Sequence, residues 1–325
     1  MMKQFLITLF LLINVLCIKA QDIYPNQFSS TSLALNPAFT GTADAWKASF
    51  LYRVQYPNSP NTLNSSYFGL DYNLPSQRNS IGMFIQSDRI GVGSGGGFRS
   101  LQVNALYSYL LPAGEYWRIK MGLSVGYGSK NLNYFNLIYG DQLSQTGVTN
   151  NPTQDNVLAS QSIDYLDVAS GFLAYNEYAW IGFSAHHLSQ PTLDFLGTQY
   201  KVPMRLSGHL GIKIPINEFE RQFVSPALIF RSQGGIHLLD AGAFFETEVF
   251  QAGIWYRNLP IQTQGSSSIN IQTGIKHEGF RLNYSYGMVI GGLNGLGGGH
   301  EISLSFAPQR DVDERKWAYR KLPIF

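Results

Sequence analysis

The chain has 325 residues, and only 14% of them are charged, where soluble domains average about 25%. Tyr (19), Phe (21) and Gly (33) are abundant, and the formal charge of +2 belongs to Lys3 and Lys19 near the start. The rest is neutral, so nothing in the charge points to nucleic acid. The single cysteine, Cys17, sits in the same opening segment, which excludes disulfide and thiol chemistry from everything after it.

Met1–Ala20 reads as a secretory signal: Lys3 supplies the positive end, Phe5–Val15 the apolar stretch, and Ile18-Lys19-Ala20 a cleavage site before Gln21. The apolar run is too short to cross about 30 Å of hydrocarbon as a helix. Asn14-Val15-Leu16 is a poor approach to a lipidated Cys17. Residues 21–43 are polar and contain Pro25 and Pro37, the composition of an extended periplasmic lead-in. Asn36-Pro37 favours extended or turn backbone, and Gly41 offers backbone angles that other residues avoid.

From residue 44 onward, apolar and polar residues alternate. Strands are predicted at 44–55, 62–73, 79–90, 97–111, 116–128, 163–175, 178–187, 203–216, 222–231, 236–246, 247–257, 266–276, 279–289 and 299–307. In Trp117–Tyr127, residues Ile119, Met121, Leu123, Val125 and Tyr127 share one face, and Arg118, Lys120, Gly122, Ser124 and Gly126 the other. Met204–Ile216 repeats the pattern. No segment after the signal is apolar for about 18 residues, so transmembrane helices are not expected. The fold class is therefore all-β: a single antiparallel transmembrane β-barrel of about fourteen strands over residues 44–307, of the bacterial outer-membrane type. With both termini in the periplasm, the connections at that side (Leu74–Arg78, Pro112–Glu115, Asn176-Glu177, Asn217–Arg221, Glu246-Thr247, His277-Glu278) are short. Those outside (Gly91–Gly96, Ser129–Ser162, Leu188–Val202, Asn258–Gly265, Ile290–Gly298) are mostly longer. Residues 308–325 carry a charged run that lipid cannot accommodate, so they form a periplasmic tail, either disordered or partner-binding.

The chemistry-bearing patterns are weak. Gly91–Gly96 has dinucleotide-fingerprint spacing but leads into a strand rather than a helix, so it reads as a loop. His186 and His187 are adjacent on a strand and face opposite ways, so they cannot share a metal. Ser184 and His186 share a face but stand in no nucleophile motif. Trp180, Trp255, Tyr107 and Tyr109 read as interfacial girdle residues. No catalytic site, metal or cofactor is expected. Arg53 and Gln55 share one face of the first strand; Arg53 is predicted to enter the lumen and pair with Asp71 or Glu301, because an unpaired buried charge is costly. Arg118, Lys120, Arg205, Lys213, Lys276 and Arg281 on the polar face either line a pore or form a salt-bridged filling.

Motifs in order along the chain carry a family resemblance. They are Asn36-Pro37-Ala38-Phe39-Thr40-Gly41, Tyr52-Arg53-Val54-Gln55-Tyr56-Pro57, Gly253-Ile254-Trp255-Tyr256-Arg257-Asn258, Leu282-Asn283-Tyr284-Ser285-Tyr286 and His300-Glu301-Ile302-Ser303-Leu304. The chain resembles the PorP/SprF family of the type IX secretion and gliding machinery of Bacteroidetes. The family often has an acid after the Tyr-Ser-Tyr element; here that position is Gly287. The resemblance implies a non-enzymatic outer-membrane barrel. Its partners would be other secretion components, such as periplasmic ring proteins or lipoproteins, or a secreted cell-surface adhesin. Asn36, Pro37, Gly41, Tyr52, Arg53, Gln55, Pro57, Tyr256, Arg257, Tyr284, Tyr286, His300 and Glu301 are its candidate structural or partner-binding residues. The alternative is a porin-like channel for small solutes.

Overall fold

The computed structural model describes residues 22–43, 45–59, 61–74, 78–91, 97–132, 140–144, 147–149, 154, 161–195, 198–216, 221–258, 267–290 and 294–308. The export signal, residues 92–96 of the glycine loop and the tail beyond residue 308 lie outside the described residues.

Fourteen strands form one closed antiparallel sheet. They are β1 (Trp46–Gln55), β2 (Leu63–Asn73), β3 (Asn79–Ile90), β4 (Phe98–Ala113), β5 (Trp117–Leu132), β6 (Gln161–Tyr175) and β7 (Ala179–His186). The remainder are β8 (Arg205–Ile212), β9 (Phe223–Gln233), β10 (Ile236–Glu246), β11 (Phe250–Arg257), β12 (Ser267–His277), β13 (Phe280–Ile290) and β14 (Gly299–Phe306). Each strand pairs with its sequence neighbour, and β1 pairs with β14 from Ala48↔Phe306 to Gln55↔Gly299. Closure leaves no ladder edge for lipid to face. The predicted strand 203–216 is interrupted at Lys213, whose N–H turns to the Tyr178 carbonyl; Ile214–Pro215 then resumes pairing with β9.

Alternation sorts the side chains as the sequence predicts. Met121, Leu123, Val125 and Tyr127 of β5 point outward and are exposed, whereas Lys120 and Ser124 point inward and are buried. Leu206, Leu210 and Ile212 of β8 point outward while Ser207 and His209 are buried. The outer wall is thus apolar and meets lipid, with burial of each such side chain contributing about 1.5–3 kcal/mol.

One end of the barrel has tight connections between β2 and β3, β4 and β5, β6 and β7, β10 and β11, and β12 and β13. The other carries the longer segments 133–160 and 187–204, and that asymmetry marks it as the outer side. An exception is Gly234-Gly235, which joins β9 to β10 at the long-loop end; both have positive φ, 58° and 81°, as a two-residue hairpin turn requires. β4 and β5 run 16 residues and β7 and β8 only 8. One side of the wall therefore stands about 26 Å taller along its strands.

The main correction concerns residues 22–43, which fold back inside the barrel instead of extending into the periplasm. The segment starts at the long-loop end, descends to Ser29 beside Lys47, returns through a helical turn at Ser32–Leu35 to Arg205 and His186, and descends again through a 3-10 turn at Pro37–Phe39 to join β1 at the short-turn end. Its Ser, Thr, Asn and Gln residues find polar partners on the lumenal wall. Phe28, Leu33, Leu35, Ala38 and Phe39 supply the reason to enter: water would leave them exposed, and in the lumen they pack against Tyr67, Phe84, Leu106, Trp180, Phe244 and Trp255. Trp180 and Trp255 are therefore core residues at 3% and 5% exposure, not girdle residues. Each lies over a cross-strand glycine, Gly211 and Gly242, that leaves space for an indole. Tyr107 does face outward.

Candidate functional site

The lumen is built around the segment 22–43, and buried polar contacts hold this plug from end to end. Its upper part is gripped by charges. Arg53 Nε lies 3.1 Å from Glu301 Oε1, in an ionic contact rather than an aligned hydrogen bond. Arg53 Nη1 donates to the Tyr24 carbonyl at 2.8 Å. Glu301 accepts from the Asn26 N–H at 2.7 Å and the Gln27 N–H at 3.0 Å. Arg257 donates to the Tyr24 and Pro25 carbonyls at 3.0 and 2.9 Å. Behind it, Asp240 bridges Arg231 and Arg257 at 2.7 and 3.2 Å. The Arg53–Glu301 alternative named from sequence is thus the one formed; Asp71 instead accepts from the Gly41 N–H at 2.7 Å.

The middle is fixed by Asn36, which is fully buried. Its Oδ1 accepts from the Ala38 N–H at 2.9 Å, which sets the amide orientation. Nδ2 then donates to the Phe172 and Phe183 carbonyls and lies 3.0 Å from His209 Nε2, so that ring nitrogen is the unprotonated one. A Cβ on Gly122 would strike the Pro37-Ala38 backbone, and one on Gly171 the Asn36 side chain. Two lumenal glycines therefore make the groove the Asn-Pro turn lies in. Ser184 Oγ donates to the Leu35 carbonyl at 2.7 Å, and His186 Nε2 lies 3.1 Å from the same oxygen.

The lower part is held by Lys120, fully buried on β5, which donates to the Thr40 and Gly41 carbonyls. Ser108 adds a bond to the Thr40 carbonyl at 2.8 Å. Gly41 itself has φ +66°, the conformation its place in the motif suggested.

At the long-loop end, His187 stands between two carboxylates. Nε2 is 2.8 Å from Asp22 of the plug and Nδ1 is 2.8 Å from Asp167 of β6. Arg205 joins Asp22 at 2.9 Å. His186 and His187 do not face opposite ways: β7 ends at His186, and His187, at φ 56°, turns back so that both are buried. Burial opposes charge on His187, but the close contacts with the Asp167 and Asp22 carboxylates outweigh it and raise its pKa to about 9. Burial likewise works against the Asp22 carboxylate, and His187 with Arg205 overcomes it, holding Asp22 well below the usual carboxylate range. Burial pushes the Tyr24 phenol up to about 12, so it remains a donor, bonding Gln233 Oε1 at 3.1 Å.

The motif residues divide into two sets. Asn36, Pro37, Gly41, Arg53, Arg257 and Glu301 belong to the plug and its grip. Tyr52, Tyr256, Tyr284, Tyr286 and His300 lie on the outer wall, where Tyr284 Oη is 2.8 Å from His300 Nδ1 and the Tyr286 ring packs on His300 at 4.8 Å. Gln55 and Pro57 end β1 at the long-loop side. At Gly287, a Cβ would meet Asn270 and lie 3.1 Å from Asn26 Nδ2, so the plug occupies the space an acid would need. Sequence reasoning missed Gly122, Gly171, His209 and the Asp22–His187–Asp167 bridge. Among the described residues no cluster of His, Cys, Asp and Glu is arranged to hold a metal.

Apolar outer wall, closed ladder and self-filled lumen define a plugged outer-membrane β-barrel. The chain belongs to the PorP/SprF family of type IX secretion system membrane proteins, whose family model matches residues 18–306. No curated protein sequence matches it. Among solved structures it is similar to the toluene transporter TbuX of Ralstonia pickettii, with a TM-score of 0.54, 11% identity, and coverage of 86% of this chain and 94% of that one. It is also similar to a FadL homologue of Pseudomonas aeruginosa, with a TM-score of 0.49, 11% identity, and coverage of 88% and 95%. At such identity the first likeness concerns the fold alone.

Proposed function

We propose that the chain is a non-enzymatic component of the type IX secretion and gliding machinery, anchoring periplasmic components or assisting secretion or surface display of an adhesin. The observation that supports this best is the filled lumen. Residues 22–43 take the space an aqueous pathway would need, so the barrel offers its ends rather than its interior. On this reading the short turns and the tail 308–325 meet ring proteins or lipoproteins in the periplasm, after removal of the signal near Ala20. The outer loop between β5 and β6 meets the exported adhesin. The outward motif residues Tyr52, Tyr256, Tyr284, Tyr286 and His300 are available to a partner within the membrane.

Clean deletion of the gene, with no redundant paralogue, abolishes cargo secretion or display of one adhesin; unchanged secretion and display overturns the proposal. A second reading, a small-solute channel, draws on the likeness in fold to a toluene transporter. Planar bilayers separate the two. The purified full chain is silent as an anchor and gives steady ion flux as a channel, while a chain lacking residues 22–41 conducts in either case.

A further inference from the structure

By alternation the lysines and arginines of the barrel strands, such as Lys47, Lys120 and Arg231, turn to the lumenal face, where they are buried. Arg89 of β3 and Arg99 of β4 turn the other way. Both are exposed, while their neighbours Asp88 and Ser100 are buried. The two arginines stand directly opposite each other in the β3–β4 ladder. Like charges opposed at that spacing destabilise a sheet. Neither guanidinium has a carboxylate in ion-pair contact among the described residues. Asp164 of β6, an outward acid near this level, lies opposite Ser129, two strands away from Arg99.

The height of the pair is set by the apolar band beneath it. The outward face of β4 is apolar or aromatic from Leu111 through Tyr107 and Val103 to Leu101, about 33 Å along the strand. At a tilt of about 40° this covers about 25 Å of the membrane normal, the full apolar height of such a barrel. Arg99 is the next outward residue, so it stands where hydrocarbon gives way to headgroups. On β5 the outward face is apolar or aromatic from Trp117 to Tyr127 and then turns to Ser129 and Asn131. In the ladders the pair is flanked by Asn64 of β2 on one side and Asn131 on the other. Below it runs a continuous apolar row, Phe68, Ile85, Val103 and Tyr127. This is the long-loop end of the barrel, so the headgroups are those of the outer leaflet.

We propose that Arg89 and Arg99 clamp a phosphate of a phosphorylated glycolipid in the outer leaflet, with Asn64 and Asn131 as flanking donors and the acyl chains on the apolar row. Planar guanidinium forks match phosphate oxygens bidentately. A shared phosphate converts the opposed charges from a repulsive pair into two ends of one clamp. Lipid is the occupant because the arginines face sideways at headgroup level and the surface directly below them takes acyl chains, which neither free phosphate nor an acidic peptide would supply. The site rests on the orientation of the barrel and not on any secretion partner.

The test uses the full chain in phosphatidylcholine nanodiscs titrated with diphosphorylated lipid A, with dephosphorylated lipid A as the chain-matched control and bound lipid counted by native mass spectrometry. The parent binds the diphosphorylated form saturably and the dephosphorylated form at least about tenfold more weakly. Arg89→Gln with Arg99→Gln lowers affinity for the diphosphorylated form by about tenfold or more. Lys201→Gln, which removes an exposed cation from the outer hairpin strand Thr198–Lys201, leaves it unchanged. Excess inorganic phosphate does not displace the lipid. Equal binding of the two lipids, an unaltered affinity in the double variant, an equal loss in Lys201→Gln or displacement by inorganic phosphate overturns the proposal. The two-lipid comparison on the parent chain needs no substitution, so it decides the matter even where the double variant does not fold.

Discussion

Arg53 and Glu301 face each other across the seam where the first strand meets the last, and the same two side chains hold the plug. One hydrogen-bonds the Tyr24 carbonyl and the other the Asn26 and Gln27 amides. Barrel closure therefore completes one of the plug's anchors, because this pair forms only when β14 has reached β1. Both side chains are at most 5% exposed, so neither charge has water as a substitute partner.

Breaking this pair is costly. Glu301→Gln leaves Arg53 buried without its counter-charge, an effect of about 3–5 kcal/mol. Urea unfolding in lipid vesicles should show a loss of that order. Arg53→Met with Glu301→Leu should cost less than the sum of the two single changes. Strict additivity would mean that the pair contributes nothing as a pair.

Gly122 is the contact where the plug has no room to yield, because an added side chain meets backbone rather than a movable group. Gly122→Val is expected to dislodge Pro37 and Ala38 while leaving the β4–β5 ladder intact. A reporter thiol at Ser30→Cys, buried in the parent, should then react readily with a water-soluble maleimide. Equal protection in both backgrounds would show that the plug docks without this groove.

Asn36 meets four polar groups at once, its two amide hydrogens shared among three acceptors, two of them carbonyls of β6 and β7. Asn36→Leu leaves those partners unsatisfied at about 1–3 kcal/mol each in the worst case. Amide exchange of residues 26–40 should accelerate strongly, with the barrel strands unaffected. Acceleration spread evenly over the strands would place Asn36 in barrel stability rather than plug docking.

The His187 bridge gives the plug a pH dependence of defined sign. Its pKa rises from 6.5 in the unfolded chain to about 9 in the fold, so the stabilisation is complete below about 6.5 and is lost as pH rises through about 9. Asp22 acts oppositely: its depressed pKa adds stability above its unfolded value of 3.8 that is lost as pH falls below it. Protection factors for the amides of residues 23–27 should therefore fall between pH 7 and 10. His187→Gln should flatten that alkaline decline. A decline that survives the substitution assigns it to another group.

Much of the fold was legible because β alternation is local: a strand such as Trp117–Tyr127 displays its lipid face in its own eleven letters. Strand limits held to within a few residues where lipid imposes the pattern. They shifted where it does not, as at the outer end of β5, which runs on to Leu132. Trp180 and Trp255 were misplaced because an aromatic on a barrel strand is ambiguous until the small residue beside it is known. Arg53 was readable as lumenal, and Glu301 as a partner, because closure of first strand on last is dictated by topology.

The plug was not readable. The residues 22–43 look like a polar linker in one dimension, and polar side chains are satisfied equally by water or by a polar lumen. What decides is the burial of Phe28, Leu33, Leu35 and Phe39, and the cavity that receives them exists only once fourteen strands have closed. The sequence by itself determined an outer-membrane barrel with a charged, inward-facing wall, through alternation and the family motifs. Only the tertiary structure decided that this wall surrounds the chain's own N-terminal segment, because contacts such as Asn36 with His209 join residues that are 173 positions apart.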